Sequence, residues 1–363
     1  MSSTAAGFPA FHPRRFLSNG HLQTIAGNFL PRKSLLPAAV SQLVEVVPAR
    51  GSQIATQILC ECHWQAPEAR ASRPSVIILH GLEGSSKSQY VIGNASKLWR
   101  AGCNVIRMNM RNCGGTERLT PTLYHSGLST DVERVMRFFI KSFRLQSISL
   151  IGYSMGGNLV LKLAGDLGTS APPQLRSVIG VSPAVDLAAS ADLLHEWQNR
   201  LYERRFLAAL LKRFRRKALL FPRVFDLARA QGVQSLRQFD DRITALYSGF
   251  QSDDDYYYRA AAARVLDGIA VPTLILHAED DPFVRLTPAT RAVIAANPNI
   301  TFIEPAHGGH CAFLAAPDAA TDNDGYWAEH TALRFLFEHA WQQAPAFPSR
   351  SLTLGRDARR VDC

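Results

Sequence analysis

Apolar residues along this chain follow two alternating rhythms. Short continuous runs, "SVIILHG" (75–81), "CNVIRMNM" (103–110), "SISLIGY" (147–153), "LRSVIGVSP" (175–183), "TLILHAEDD" (273–281) and "ITFIEP" (300–305), have the length of strands buried on both faces. Between them lie stretches with helical spacing, near 90–101, near 130–143, from Asn158 to Leu163, and a closing one from about Asp324 to Ala344. Strands that alternate with helices predict an α/β fold with a mostly parallel sheet covered on both faces. Two earlier runs, "LVEVVP" (43–48) and "IATQILCECHW" (54–64), predict an antiparallel hairpin at one edge of that sheet.

The alternation breaks once, between about Asp186 and Asp255, where the chain turns helical and basic. The expected organisation is therefore an N-terminal extension over 1–40 packing on a core of 41–185 and 256–345, a helical cap over 186–255, and a flexible tail over 346–363. No internal repeat or low-complexity tract interrupts this plan.

Charge changes the picture at one place. Of a formal net charge of +10, much lies in "RLYERRFLAALLKRFRRKALLFPR" (200–223). Leu207, Leu210, Leu211, Phe214 and Ala218 share one helical face, and Lys212, Arg213 and Arg216 share the other. The expectation is a helix packed on the core with a solvated basic face, a face that also suits peripheral contact with an anionic membrane. No nucleic-acid motif accompanies the charge, so nucleic acid is set aside as a partner. The N-terminus has no leader pattern, no segment offers about 18 apolar residues in a row, and six cysteines stand at irregular positions. A soluble cytoplasmic protein is expected.

Candidate chemistry centres on "GYSMGG" (152–157), where a strand turns directly into a helix at Ser154. Gly152 and Gly156 remove the β-carbons that would collide around an exposed side chain at such a corner, the nucleophile-elbow pattern. A serine hydroxyl is a weak nucleophile at its own pKa, so it needs a histidine base and a carboxylate to orient that base. On a doubly wound sheet these follow in the order acid, then histidine, each past a strand's C-terminal end. His310 in "HGGHCAF" (307–313) fits, and so do Asp280 and Asp281 after "TLILHAE"; Asp281, ahead of Pro282, is preferred, with Asp280 orienting the loop. Backbone donors for an oxyanion are expected from the N–H groups of Met155 and of Leu82 in "LHGLEGSS" (79–86).

Other features carry less. "CECHW" (60–64) lacks a second ligand pair, so no metal is implied. Cys113 and Cys311 are expected in loops near the site but off the elbow. Ser129 or Thr130 reads as a helix N-cap with Asp131 in the first turn. "SDDDYYY" (252–258) reads as a surface turn whose tyrosines anchor the cap, the alternative being that one of them lines an acyl pocket.

Longer blocks then bear on identity: "FLSNGHLQTI" (16–25), "HGLEGSSKSQY" (80–90), "MNMRNCGGTE" (108–117), "FDDRITALYSGF" (239–250), "DDYYYRAAA" (254–262) and "LHAEDDPFV" (276–284), in this order with the elbow and "HGGHCAF". Through them nearly the whole chain resembles the YheT-like α/β-hydrolases, related to the lipid-active ABHD esterases. That resemblance implies the α/β-hydrolase fold and places the site on Ser154, the aspartate of "EDDPF" and the histidine of "GGH". It also implies hydrolysis of short or medium acyl esters or lipid-like esters, with no cofactor. Acyl transfer by the same groups, or binding without catalysis, are the alternatives.

Overall fold

The computed structural model describes residues 7–51, 53–318 and 323–340, so the expected tail over 346–363 and the last residues of the expected closing helix lie outside the described residues. Eight strands form one sheet in the order β1-β2-β4-β3-β5-β6-β7-β8. They are β1 (Val40–Val47), β2 (Thr56–His63), β3 (Ser75–Leu79), β4 (Asn104–Met108), β5 (Ile148–Tyr153), β6 (Leu175–Val181), β7 (Thr273–Leu276) and β8 (Ile300–Ile303). The β1–β2 hairpin is antiparallel, as its alternation implied, and β2 joins β4 antiparallel; every other pairing is parallel.

The continuous apolar runs are explained by two packed layers. In β3, Ile77 and Leu79 face one core and Val76 and Ile78 the other; in β5, Ile148 and Leu150 oppose Ile151 and Tyr153. Helices α3 (Ser129–Phe143) and α4 (Met155–Leu167) cover the first face. Helix α2 (Gln89–Arg100) and the helix Trp327–Ala340 cover the second. A strand buried on both sides has no polar phase to show, which is why these runs read as unbroken.

Strand ends are shorter than the sequence implied. β7 stops at Leu276, so His277 follows the strand and does not sit inside it, with its N–H donated to the Ile303 carbonyl. Helix α3 does start at Ser129, yet neither Ser129 nor Thr130 caps it: the Ser129 hydroxyl donates to Asp166, and no side chain caps the helix start. Asp131, in its first turn, instead accepts both Arg111 Nε (2.6 Å) and Arg111 Nη2 (2.5 Å).

Between β6 and β7 the chain forms α5 (Leu187–His195), α6 (Arg200–Leu220), a π-helical turn Asp240–Ala245 and the helix Asp253–Ala260. "SDDDYYY" is therefore helical and not a surface turn. Ser252 caps it by accepting the Asp255 N–H, and Tyr256 and Tyr257 are buried.

The strand-to-helix corner after β5 is closely packed. Ser154 sits at φ +55°, ψ −118°, a region rarely open to a residue with a β-carbon. A Cβ on Gly152 would lie 2.1 Å from the Gly156 carbonyl oxygen, and one on Gly156 would lie 2.5 Å from the His80 carbonyl oxygen. Backbone cannot yield to such contacts as a flexible side chain can. Gly152→Ala is accordingly expected to destabilise the fold by about 3 kcal/mol. Urea denaturation checks this, and an unchanged midpoint would refute the packing argument.

Candidate active site

Four strand ends meet above the sheet's C-terminal edge. The β3 loop brings His80 to Leu82, the β5 corner brings Ser154 and Met155, the loop after β7 brings Asp280 and Asp281, and the loop after β8 brings His310. Leu82, Ser154, Met155 and His310 line one cavity of about 150 Å³.

His310 is anchored on three sides. Its Nδ1 lies 2.8 Å from Asp281 Oδ2, its backbone N–H donates to Thr24 Oγ1 at 2.8 Å, and its ring packs on Phe283 with centroids 4.8 Å apart. Asp281 spends its other oxygen on the N–H groups of Phe283 (2.8 Å) and Val284 (3.0 Å). An acceptor at Nδ1 fixes the neutral imidazole as the Nδ1–H tautomer, which leaves Nε2 free to accept a proton. Burial alone would push the His310 pKa down, but the charge and hydrogen bond of Asp281 together with Cys311 hold the pKa well above 6.5. Asp281 shows the converse: burial raises its pKa, and the neighbouring His310 together with its hydrogen bonds brings it below the usual carboxylate value.

Asp280 does different work. Its Oδ1 accepts the Gly309 N–H at 2.8 Å and its Oδ2 lies 3.4 Å from His307 Nδ1, so it fastens the loop that carries His310. The two adjacent aspartates thus hold different partners, Asp280 the Gly309 N–H and Asp281 the His310 ring.

The loop after β3 is fixed by His80. The Met110 N–H donates to His80 Nε2 (3.1 Å) and His80 Nδ1–H donates to the Gly81 carbonyl (2.8 Å), while burial lowers its pKa to about 4 and keeps it neutral. Gly81 N–H donates to Tyr90 Oη at 2.9 Å. Glu83 then turns at φ +56°, and its carboxylate collects Tyr124 Oη (2.5 Å) and both Nε (2.8 Å) and Nη2 (3.0 Å) of Arg213.

That last pair corrects the reading of α6. Lys212 and Arg216 are exposed as expected, but Arg213 turns inward, pairs with Glu83, donates to the Asn112 carbonyl and lines the cavity. Lys217 is also buried, donating to the carbonyls of Glu117 (2.9 Å) and Thr120, and burial lowers its pKa to about 7. A basic residue on the polar side of a helical wheel gives no sign that a carboxylate waits across a loop.

The cavity wall is otherwise mostly apolar, from Leu123, Leu187, Leu210, Phe214, Phe239 and Val284 among others. Tyr256 and Tyr257 line it, in keeping with the alternative reading of that motif. Asp240, at the start of the π-helical turn, is the unforeseen polar member: it accepts from Thr244 Oγ1 (2.7 Å) and Tyr257 Oη (2.8 Å), and burial raises its pKa to about 6. Cys113 and Cys311 are not in the wall; burial pushes the Cys113 thiol up to about 12. Among the described residues no three of His, Cys, Asp and Glu gather as a metal-ligand set, and no helix is long and apolar enough to cross a membrane.

Sheet order and a serine corner at the end of β5 define an α/β hydrolase, and a model of the alpha/beta hydrolase fold matches residues 74–317. The chain belongs to that family. It is 30% identical over 310 residues to "Putative esterase YheT" of Escherichia coli (strain K12), an alignment spanning 84% of this chain and 87% of that one, which bears out the resemblance drawn from the motifs. It is 27% identical over 305 residues to "Phospholipase ABHD3" of Bos taurus, spanning 84% of this chain and 73% of that one. Among solved structures, an esterase of Pyrococcus furiosus superposes with a TM-score of 0.52 at 13% identity, over 91% of this chain and 100% of that one, a likeness of fold.

The Arg213–Glu83 pair yields a sharp expectation. Arg213→Met should cost about 2 kcal/mol of stability, because it leaves a largely buried carboxylate short of two donors. Arg216→Met, on the exposed side of the same helix, should change stability by less than about 0.5 kcal/mol. Equal effects in thermal unfolding would refute the inward placement.

Proposed function

We propose that this protein hydrolyses carboxylic esters through an acyl-enzyme on Ser154, with His310 as general base and acid, Asp281 as its orienting carboxylate, and the N–H groups of Leu82 and Met155 as oxyanion donors. The observation that carries this reading is the 2.8 Å His310–Asp281 hydrogen bond at a histidine that shares a cavity wall with the elbow serine. The protein is a carboxylesterase- and lipase-type hydrolase, in keeping with its named relatives.

The steps follow from the groups present. Ser154 Oγ attacks the ester carbonyl carbon while its proton passes to His310 Nε2. Negative charge moves to the former carbonyl oxygen, within reach of the backbone donors. Met155 opens α4, so its N–H has no partner further back in the helix and is free to donate. Collapse of the intermediate expels the alcohol, which takes the proton from His310, and water attacks the acyl-enzyme by the same sequence in reverse. No metal or organic cofactor enters this scheme.

The substrate is a small-molecule ester with an apolar acyl group. An apolar cavity of about this size holds a molecule the size of benzene, which supports short and medium acyl chains with any remainder directed outward. Residues 186–255 act as a cap over that chain, through Leu187, Leu210 and Phe239. A reducing, cytoplasmic setting belongs to the same reading: Cys60, Cys62, Cys103, Cys113 and Cys311 are all unpaired.

Hydrolysis of p-nitrophenyl esters from acetate to palmitate tests the reading. Ser154→Ala should lower kcat about 10⁴-fold or more, and the chain-length optimum should fall among the short and medium acids. Equal rates in variant and parent would remove Ser154 from the chemistry.

The pH profile has a determined sign. His310 must be neutral to accept the serine proton, so kcat/KM is lost as pH falls through its pKa, which Asp281 holds above 6.5. Asp281→Asn should move that midpoint down and lower kcat about 10⁴-fold. An acid limb that stays in place in the variant would separate Asp281 from His310.

A further inference from the structure

Helix α1 (Gly20–Phe29) is built inside out. Its buried positions are Gly20, Gln23, Thr24 and Gly27, while Leu22, Ile25 and Phe29 are exposed. The inner face is small and polar because it holds backbone near the site. Thr24 accepts the His310 N–H, and Gln23 donates to the Leu17 and Leu314 carbonyls and accepts the Leu314 N–H. Gly20 and Gly27 let the helix lie directly against Asp280 and Ala312. With that face committed, the apolar residues at i, i+3 and i+7 form an outward stripe.

The outer side of α6 continues this stripe. His21 stacks on Tyr202 with ring centroids 5.7 Å apart, and the Arg205 guanidinium stands 5.7 Å from the Phe29 ring. Leu201, Arg204, Arg205, Lys212 and Arg215 all face outward. Leu201 is 77% exposed, Phe29 66% and Trp197, just ahead of the helix, 79%. Arg200, Arg204, Lys212 and Arg215 form no ion pair with a described residue. One aromatic layer separates this surface from the site: Tyr202 and Phe206 pack on Phe283 at 4.6 and 5.7 Å, and Phe283 packs on His310.

We propose that α1 and the outer stripe of α6 are a docking face for an anionic lipid bilayer. Leu22, Ile25, Phe29 and Leu201 enter the interface, and Arg200, Arg204 and Lys212 meet the headgroups. Charge selects this occupant. A second copy seated by two-fold symmetry would set the cationic stripe against itself, whereas an anionic bilayer answers both the apolar and the basic groups. The purpose of docking rests on the esterase reading: it brings water-poor esters to the His310 side of the cavity.

Flotation with vesicles of phosphatidylcholine alone, and of phosphatidylcholine with phosphatidylglycerol, tests this at low and high salt. The parent protein should bind the anionic vesicles and lose binding with salt. Each charge removed should weaken partitioning about fivefold, so Arg200→Gln/Arg204→Gln/Lys212→Gln should weaken it about 100-fold. Leu22→Ser/Ile25→Ser/Phe29→Ser should weaken it at least about tenfold. Turnover of p-nitrophenyl acetate by the same variants should stay at the parent's rate, which reports an intact fold and site separately. Equal binding to both vesicle types, or binding unchanged in both variants, would overturn the proposal. So would a dimer in sedimentation that the apolar variant dissociates, since the face would then belong to a second copy. A parent that binds vesicles yet cleaves no ester would instead count against the esterase reading and leave the docking face standing.

Discussion

A single strained corner sets the terms for the rest of this molecule. Ser154 at φ +55° costs about 1–3 kcal/mol that the surrounding structure must offset. The offset is visible in backbone: Ser154 N–H donates to the Val181 carbonyl at 2.9 Å, and the Ser154 carbonyl accepts from Asn158 (3.1 Å) and Ala184 (3.3 Å). These partners come from β6, from α4 and from the chain just after β6. The corner therefore exists only once these neighbouring segments have closed around it; the Gly152 position is crowded by the start of α4 and the Gly156 position by the end of β3.

The same logic of outside support recurs at the groups that share the cavity wall with Ser154. His310 is held by α1 through Thr24 and by the β7 loop through Asp281. The loop carrying Leu82 is held by His80 from within the core and by Arg213 from α6, a segment far along the chain. Glu83 is the junction: its bidentate contact with Arg213 links the helical insertion to the loop beside the serine. A displacement of α6 would therefore have to break that pair or carry the loop with it.

How much of this was legible follows from which interactions leave a local pattern. The sheet was readable because strands buried on both faces are continuous apolar runs, and the hairpin because β1 and β2 alternate. The elbow was readable because steric exclusion demands glycine at fixed offsets from Ser154. Pattern gave Asp281 only a preference over Asp280, through Pro282, since both follow the same strand; their partners differ in space, Asp280 holding the Gly309 N–H and Asp281 the His310 ring and the Phe283 and Val284 N–H groups. Arg213, Lys217 and Asp240 were opaque for a related reason. Each is a polar residue whose partner lies more than a helix away or in a cavity wall, and residue type alone gives solvent as the default.

Helix α1 shows the same limit from the opposite direction. Amphipathic helices ordinarily bury their apolar stripe, yet α1 leaves Leu22, Ile25 and Phe29 exposed. Here the core side is taken by Gln23 and Thr24, whose side chains supply the hydrogen bonds that the Leu314 and His310 backbone would otherwise lack. Burying leucine at those positions would leave N–H and C=O groups unpaired beside the site, at a cost of about 1–3 kcal/mol each. Polar satisfaction thus outweighs apolar burial along this helix, and the displaced apolar stripe becomes a surface next to the cationic face of α6. One local demand, a firmly held histidine loop, in this way shapes both the site and the face beside it.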